Sequence, residues 1–117
     1  MIRFSILILA LAVLTACSYM SPKIQPPAEG DLSLKQVADN INLYQGKTVR
    51  WGGKIIAVEN SEQQSEILVV QFPLNRVGRP DESSDSEGRF FIRSADFLDP
   101  EVYKTDSFIT VLGQVVD

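Results

Sequence analysis

Thr48-Val49-Arg50-Trp51-Gly52-Gly53-Lys54-Ile55-Ile56-Ala57-Val58 is the stretch on which the fold turns. Most of its side chains are β-branched or aromatic. Such side chains are stiff at χ1 and suit a pleated, half-buried surface better than a helix. A glycine pair interrupts the run, and glycines inside a strand mark a bulge or a sharp bend. The stretch therefore predicts a strand over residues 48–58 with an irregularity at Gly52-Gly53.

Upstream, Ser33 is placed to cap a helix with Gln36 three positions on, and Leu34, Val37, Ala38 and Ile41 recur at helical spacing. Gly46 then ends the helical segment with a turn. Downstream, residues 60–64 read as a turn and Glu66 to Phe72 as a second strand, with Leu68, Val70 and Phe72 on one face and Ile67 and Val69 on the other. Residues 75–88 hold Gly78, Pro80, several serines and acids, and predict a long exposed loop. Arg89 to Arg93 makes a short third strand. Phe90 and Phe91 point to opposite faces of it, so one of them lies nearer the surface unless a helix or loop covers it. Ser94 to Tyr103 suits a turn with one or two helical turns, and Ser107 to Val116 a fourth strand. Strand, strand, strand, helical connection, strand is the order of a small, partly open OB-type barrel lacking its last strand. A half-open sheet with a covering helix is the second reading.

Charge narrows the function classes. Lys+Arg 11 against Asp+Glu 15 leaves −4, and residues 1–16 contribute only the cation Arg3, so the remainder is more acidic still. Nucleic-acid binding depends on neutralising phosphates with Lys and Arg, so no nucleic-acid partner is expected. Histidine, the commonest general base and metal ligand, is missing from the sequence. A single cysteine makes no internal disulfide, which leaves stability to the hydrophobic core.

At the N-terminus, Met1 to Arg3 form a short positive region, Phe4 to Val13 an apolar one interrupted by Ser5, and Leu14-Thr15-Ala16-Cys17 follow. A bilayer-spanning helix needs about 20 apolar residues; this run ends at Ala16 and meets Ser18, Ser21 and Pro22, so residues 1–16 read as a signal peptide. Leu14, Thr15, Ala16 and Cys17 resemble a bacterial lipobox. That resemblance implies a diacylglycerol on the Cys17 thiol, cleavage before it, and an N-acyl chain of the palmitate kind on the freed amine. One acyl chain holds a protein only marginally, at ~0.8 kcal/mol per buried methylene, whereas two or three anchor it stably. Ser18, where an aspartate would signal retention, points to the outer membrane. Residues 17–30, with Pro22, Pro26 and Pro27, read as the lipidated N-terminus and tether, and residues 31–117 as the folded domain.

Candidate chemistry is thin. Asp81, Ser83 and Asp85 alternate as in a calcium loop, but Ser86 stands where glycine is needed and Ile92 where a bidentate glutamate is needed. A solvated acidic loop and no metal site are expected. Asp96, Asp99 and Glu101 fit helix-start chemistry, with Pro100 at the first helical position, better than an acid and base pair. The serines have no histidine to activate them. No catalytic residue is therefore assigned, and a lipid-anchored hydrolase is the least favoured reading. Trp51 beside Gly52 and Gly53 is the one candidate ligand or partner surface, because bare backbone next to an aromatic face admits close approach; core packing is the simpler use of the same residues.

Several segments together resemble the Slp family of starvation-inducible outer-membrane lipoproteins: Leu43-Tyr44-Gln45-Gly46-Lys47, Val49-Arg50-Trp51-Gly52-Gly53-Lys54-Ile55, Gly88-Arg89-Phe90, Phe97-Leu98-Asp99-Pro100, Tyr103 and Val111-Leu112-Gly113. The resemblance implies a β-barrel domain facing the periplasm, held to the outer membrane by lipid on Cys17, and it does not imply a known catalytic site; no cofactor beyond that lipid is expected. Family members continue past the equivalent of Gln114-Val115-Val116, so the resemblance also implies a missing last strand and an unpaired edge. The expected role is non-catalytic, in envelope integrity or the stress and starvation response, through an envelope protein or cell-wall partner. The alternative is a binding module that takes a small molecule, glycan or cell-wall component at Trp51.

Overall fold

A computed structural model describes residues 24–27 and 30–116. Four strands, β1 (Thr48–Asn60), β2 (Ser65–Gln71), β3 (Arg89–Ser94) and β4 (Phe108–Gln114), make one antiparallel sheet in the order β3-β2-β1-β4. The sheet curls into a half-barrel. One helix, α1 (Leu34–Asp39), and a 3-10 turn (Ile41–Tyr44) precede it. The mainly β, partly open architecture read from the sequence is thus the one formed. A closed β-barrel is not: β3 and β4 each have a single neighbour and do not pair with one another.

β1 is the rail that both flanking strands share. Its first part, Thr48 to Lys54, pairs with β4, and its second part, Gly53 to Asn60, pairs with β2. The two ladders overlap only at Gly53 and Lys54, and the glycine pair permits that handover. A Cβ on Gly53 would stand 1.8 Å from the Val70 carbonyl oxygen, and one on Gly52 would stand 2.7 Å from the Ile109 carbonyl oxygen and 2.8 Å from Leu74 Cδ2. The strand irregularity expected at these glycines lies further on. The β1–β2 register steps from Ile55↔Val69 to Ala57↔Leu68, so the bulge belongs to Ile56. Glycine is needed here for close approach of backbones, while a bulge can be carried by any residue whose partner strand is one short.

The inward faces make the core. Leu34, Ile55, Ile67, Val69 and Phe90 are buried together, with Leu98, Tyr103, Ile109 and Val111 packed against them. A second cluster, Val37, Val49 and Val115, is completed by Leu32, Ile41 and Tyr44. Burial of each large aliphatic side chain here stabilises the fold by ~1.5–3 kcal/mol. β2 shows the alternation clearly. Ser65, Ile67, Val69 and Gln71 are buried and the residues between them are half-buried. Gln71 meets its polar need by accepting from the Glu87 N–H at 2.8 Å.

The helix begins as its sequence dictates, with the Ser33 hydroxyl accepting from the Gln36 N–H at 3.1 Å. It stops at Asp39 and tightens into the 3-10 turn, so Ile41 falls beyond the α-helix. Gly46, at φ 77°, then reverses the chain. In the β3–β4 connection the N–H groups of Val102 and Tyr103 both donate to the Asp99 carbonyl at 2.9 Å, which makes a turn rather than the one or two helical turns expected there. Leu98 and Tyr103 fasten it to the core. Phe90 is buried, whereas Phe91 is 58% exposed, as their opposite faces require.

Candidate functional site

The open side of the half-barrel is a groove of about 410 Å³ between β3 and β4. Its floor is apolar, with Leu34, Val37, Trp51, Phe90 and Val111 from α1 and three strands. Its rims carry Phe91, 58% exposed, and Leu112, 52% exposed. Among the described residues, Arg89 and Arg93 are the charged ones along it. Arg93 Nε donates to Glu66 Oε2 at 3.1 Å on the convex face.

Trp51 lies behind this groove as a packing element. Its ring N–H donates to the Leu32 carbonyl at 2.7 Å, and its ring meets Phe90 edge-on with centroids 5.4 Å apart at 65°. It touches both core clusters. Gly52 and Gly53 beside it are occupied by the approach of β4 and β2. The ring also borders a second groove of about 390 Å³, together with Asp31, Arg50, Gly52, Gln71 and Glu87. Arg50 there donates from one terminal nitrogen to the Ile24 carbonyl at 3.2 Å and from the other to Asp31 Oδ2 at 3.0 Å, drawing the segment before the helix onto the sheet. Its Nε is buried with no partner among the described residues.

The acidic loop behaves as a set of turns. Asp81 Oδ1 accepts from the N–H of Ser83 at 3.1 Å and from its hydroxyl at 2.6 Å, and Oδ2 accepts from the Ser84 hydroxyl at 3.2 Å. The Ser83 hydroxyl, then the Ser83 N–H, hold the Asp81 carboxyl below its ordinary pKa. Among the described residues no group of three or more His, Cys, Asp or Glu side chains converges as metal ligands would. Glu82 from this loop pairs with Lys54 at 3.0 Å. Asp99 Oδ1 accepts from the Glu101 N–H at 2.9 Å, a turn-capping bond. Leu14, Thr15, Ala16 and Cys17 lie outside the described residues.

Sequence reasoning missed Arg50 and Asn60. Asn60 Oδ1 accepts from the Leu98 N–H at 3.1 Å while its Nδ2 donates to the Leu98 carbonyl at 3.0 Å, and Oδ1 also takes the Ser65 hydroxyl. An asparagine beside a serine reads as a turn residue, and nothing local signals a partner so far along the chain.

Comparison with known proteins gives these geometries a family. A family model described as "Outer membrane lipoprotein Slp family" matches residues 14–117. The chain belongs to the outer membrane lipoprotein Slp family. The Slp resemblance carried by the short motifs around Trp51 and Gly88 therefore holds across the domain. Outer membrane protein Slp of Escherichia coli is 34% identical over 112 residues, covering 93% of this chain and 59% of that protein. The uncharacterized lipoprotein YeaY of the same organism is 32% identical over 82 residues, 70% of this chain and 42% of that one. An uncharacterized Haemophilus influenzae protein is 37% identical over 70 residues, 59% of this chain and 38% of its own. The Slp-family chain thus spans between about two fifths and three fifths of the relatives it matches. No solved structure matches it.

Proposed function

We propose that this Slp-family chain is an outer-membrane lipoprotein anchored by acyl chains on Cys17, whose half-barrel faces the periplasm and supports the envelope under stress or starvation by non-catalytic contacts. The observation that carries the proposal is the coincidence of the family match, which begins at Leu14, with the Leu14-Thr15-Ala16-Cys17 pattern behind a short apolar run. Relatives named as an outer membrane protein and as a lipoprotein support the membrane and the mode of attachment. Residues 1–16 are then the signal peptide, 17–30 the lipidated N-terminus and tether, and 31–117 the domain. The diacylglycerol and the N-acyl chain are its only non-protein groups, and its partner is an envelope protein or cell-wall component.

The test is the intact mass of the membrane-extracted protein beside a Cys17→Ala version. A mass of residues 17–117 plus two or three acyl chains, lost in the variant together with the membrane association, is expected. An unacylated product that keeps residues 1–16 would overturn the reading.

A second reading, recognition of a small molecule, glycan or cell-wall component beside Trp51, is favoured by the second groove, where Trp51 and Gly52 meet Arg50. Titration of peptidoglycan fragments against Trp51 emission separates the two. A saturable change supports a binding module, and a flat response removes it.

A further inference from the structure

Arg50 brings two distant segments to one corner of the half-barrel. One of its terminal nitrogens donates to the Ile24 carbonyl, and the other pairs with Asp31. The nitrogen that holds Ile24 also lies 3.9 Å from where a Cβ on Gly78 would stand. Gly78 belongs to a tight turn over residues 75–79. The Asn75 side-chain oxygen accepts from the N–H groups of Val77 and Arg79, both at 3.0 Å, while the Asn75 N–H donates to the Arg79 carbonyl at 2.8 Å. Thr110 of β4 fastens the turn to the sheet, its hydroxyl donating to the Gly78 carbonyl at 2.8 Å. The turn thereby presents Arg76, Val77 and Arg79 to solvent beside an exposed Ile24.

Charge and reach point the same way. In a chain of net charge −4, residues 72–80 carry two arginines and no acid. Among the described residues neither arginine is ion-paired. The neighbouring carboxylates are engaged, Asp31 by Arg50, Glu82 by Lys54, and Asp81 by the Ser83 and Ser84 hydroxyls. Ile24 stands seven residues after Cys17, a distance of at most ~25 Å in fully extended chain. A lipid on Cys17 therefore keeps this corner near the bilayer. By holding Ile24, Arg50 halves the fourteen residues that separate Cys17 from Asp31.

We propose that this corner is a membrane-docking surface, in which Arg76 and Arg79 meet the phosphates of anionic phospholipid headgroups while Val77 and Ile24 enter the interface between them. The proposal rests on the acylation of Cys17. Each arginine near an anionic surface favours docking about five-fold. That is too little to recruit a free protein, but enough to orient one that a lipid already holds at the surface.

The test uses the membrane-extracted, acylated protein in vesicles of phosphatidylcholine, alone or mixed with phosphatidylglycerol. With Cys17 acylated, Val77→Cys offers a single thiol for an environment-sensitive fluorophore. Phe97→Cys is the control, exposed and next to Leu98, which Asn60 holds at the far end of β1. Emission from residue 77 should shift to the blue in vesicles containing phosphatidylglycerol and not in phosphatidylcholine alone, with residue 97 unchanged in both. Arg76→Gln and Arg79→Gln together should lower the ratio of docked to undocked protein about 30-fold while the protein still floats with the vesicles. Flotation without a shift at residue 77 would overturn the docking and leave the anchor standing, whereas loss of flotation in the parent protein would overturn both. Equal shifts in the two vesicle types, or a matching shift at residue 97, would also overturn the docking. A shift in detergent that rises with protein concentration would assign the turn to a second copy and sink the proposal too.

Discussion

A methyl group added at Gly53 would sit inside the Val70 carbonyl, and no side chain can swing aside to relieve it. Gly53→Ala should therefore lose at least the ~1–3 kcal/mol typical of overpacking, measured by urea denaturation. Gly113→Ala meets nothing within 4 Å and should stay within ~0.5 kcal/mol of the parent protein or gain slightly. If the two variants behaved alike, the handover of β1 from β4 to β2 would not be the reason for the glycine pair. Asp81 makes a prediction of sign. Its carboxyl pKa is lowered by bonds from Ser83, so the turn it organises is complete above the ordinary aspartate range and is lost as pH falls through the lowered value. The Ser83 amide resonance should report that titration, and Asp81→Asn should flatten it. The glycine pair was visible in the sequence as an anomaly, but its purpose was not, because the Val70 carbonyl comes from another strand.

At the level of elements, the β3–β4 connection is held to the β1–β2 turn by Asn60 at Leu98. Asn60→Ala removes those bonds and leaves the buried Ser65 hydroxyl without its partner, a loss of ~1–3 kcal/mol. Faster hydrogen exchange at Leu98 and Ser65, with the Ile41 to Tyr44 turn unchanged, is the expected pattern. Ser33→Ala tests the other end and should cost ~1 kcal/mol through the lost helix cap. The helix start and the four strands were legible in local pattern. Their junctions were not: the bulge lies at Ile56 because register is a property of two strands, and the α-helix ends at Asp39 and gives way to a 3-10 turn that starts at Ile41.

For the whole molecule, the open seam sets the expected behaviour in solution. Among the described residues, Phe91 and Leu112 stand exposed on either side of the groove, and an exposed apolar pair of this kind favours association. Leu112→Lys should lower light scattering on concentration while leaving the melting transition nearly unchanged, since that side chain already meets solvent. A variant that scattered as strongly as the parent would place the association elsewhere.

Sequence alone determined the mainly β class, the capped helix, the acidic loop and the family resemblance, because each depends on residues close together in the chain. It also marked Trp51, Gly52 and Gly53 as unusual. Only the tertiary structure decided what they do: Trp51 ties Leu32 to Phe90, and the glycines make room for β2 and β4. The bidentate hold of Asn60 on Leu98 and the groove between β3 and β4 belong to the same class. They arise from contacts between segments far apart along the chain, which periodicity does not encode.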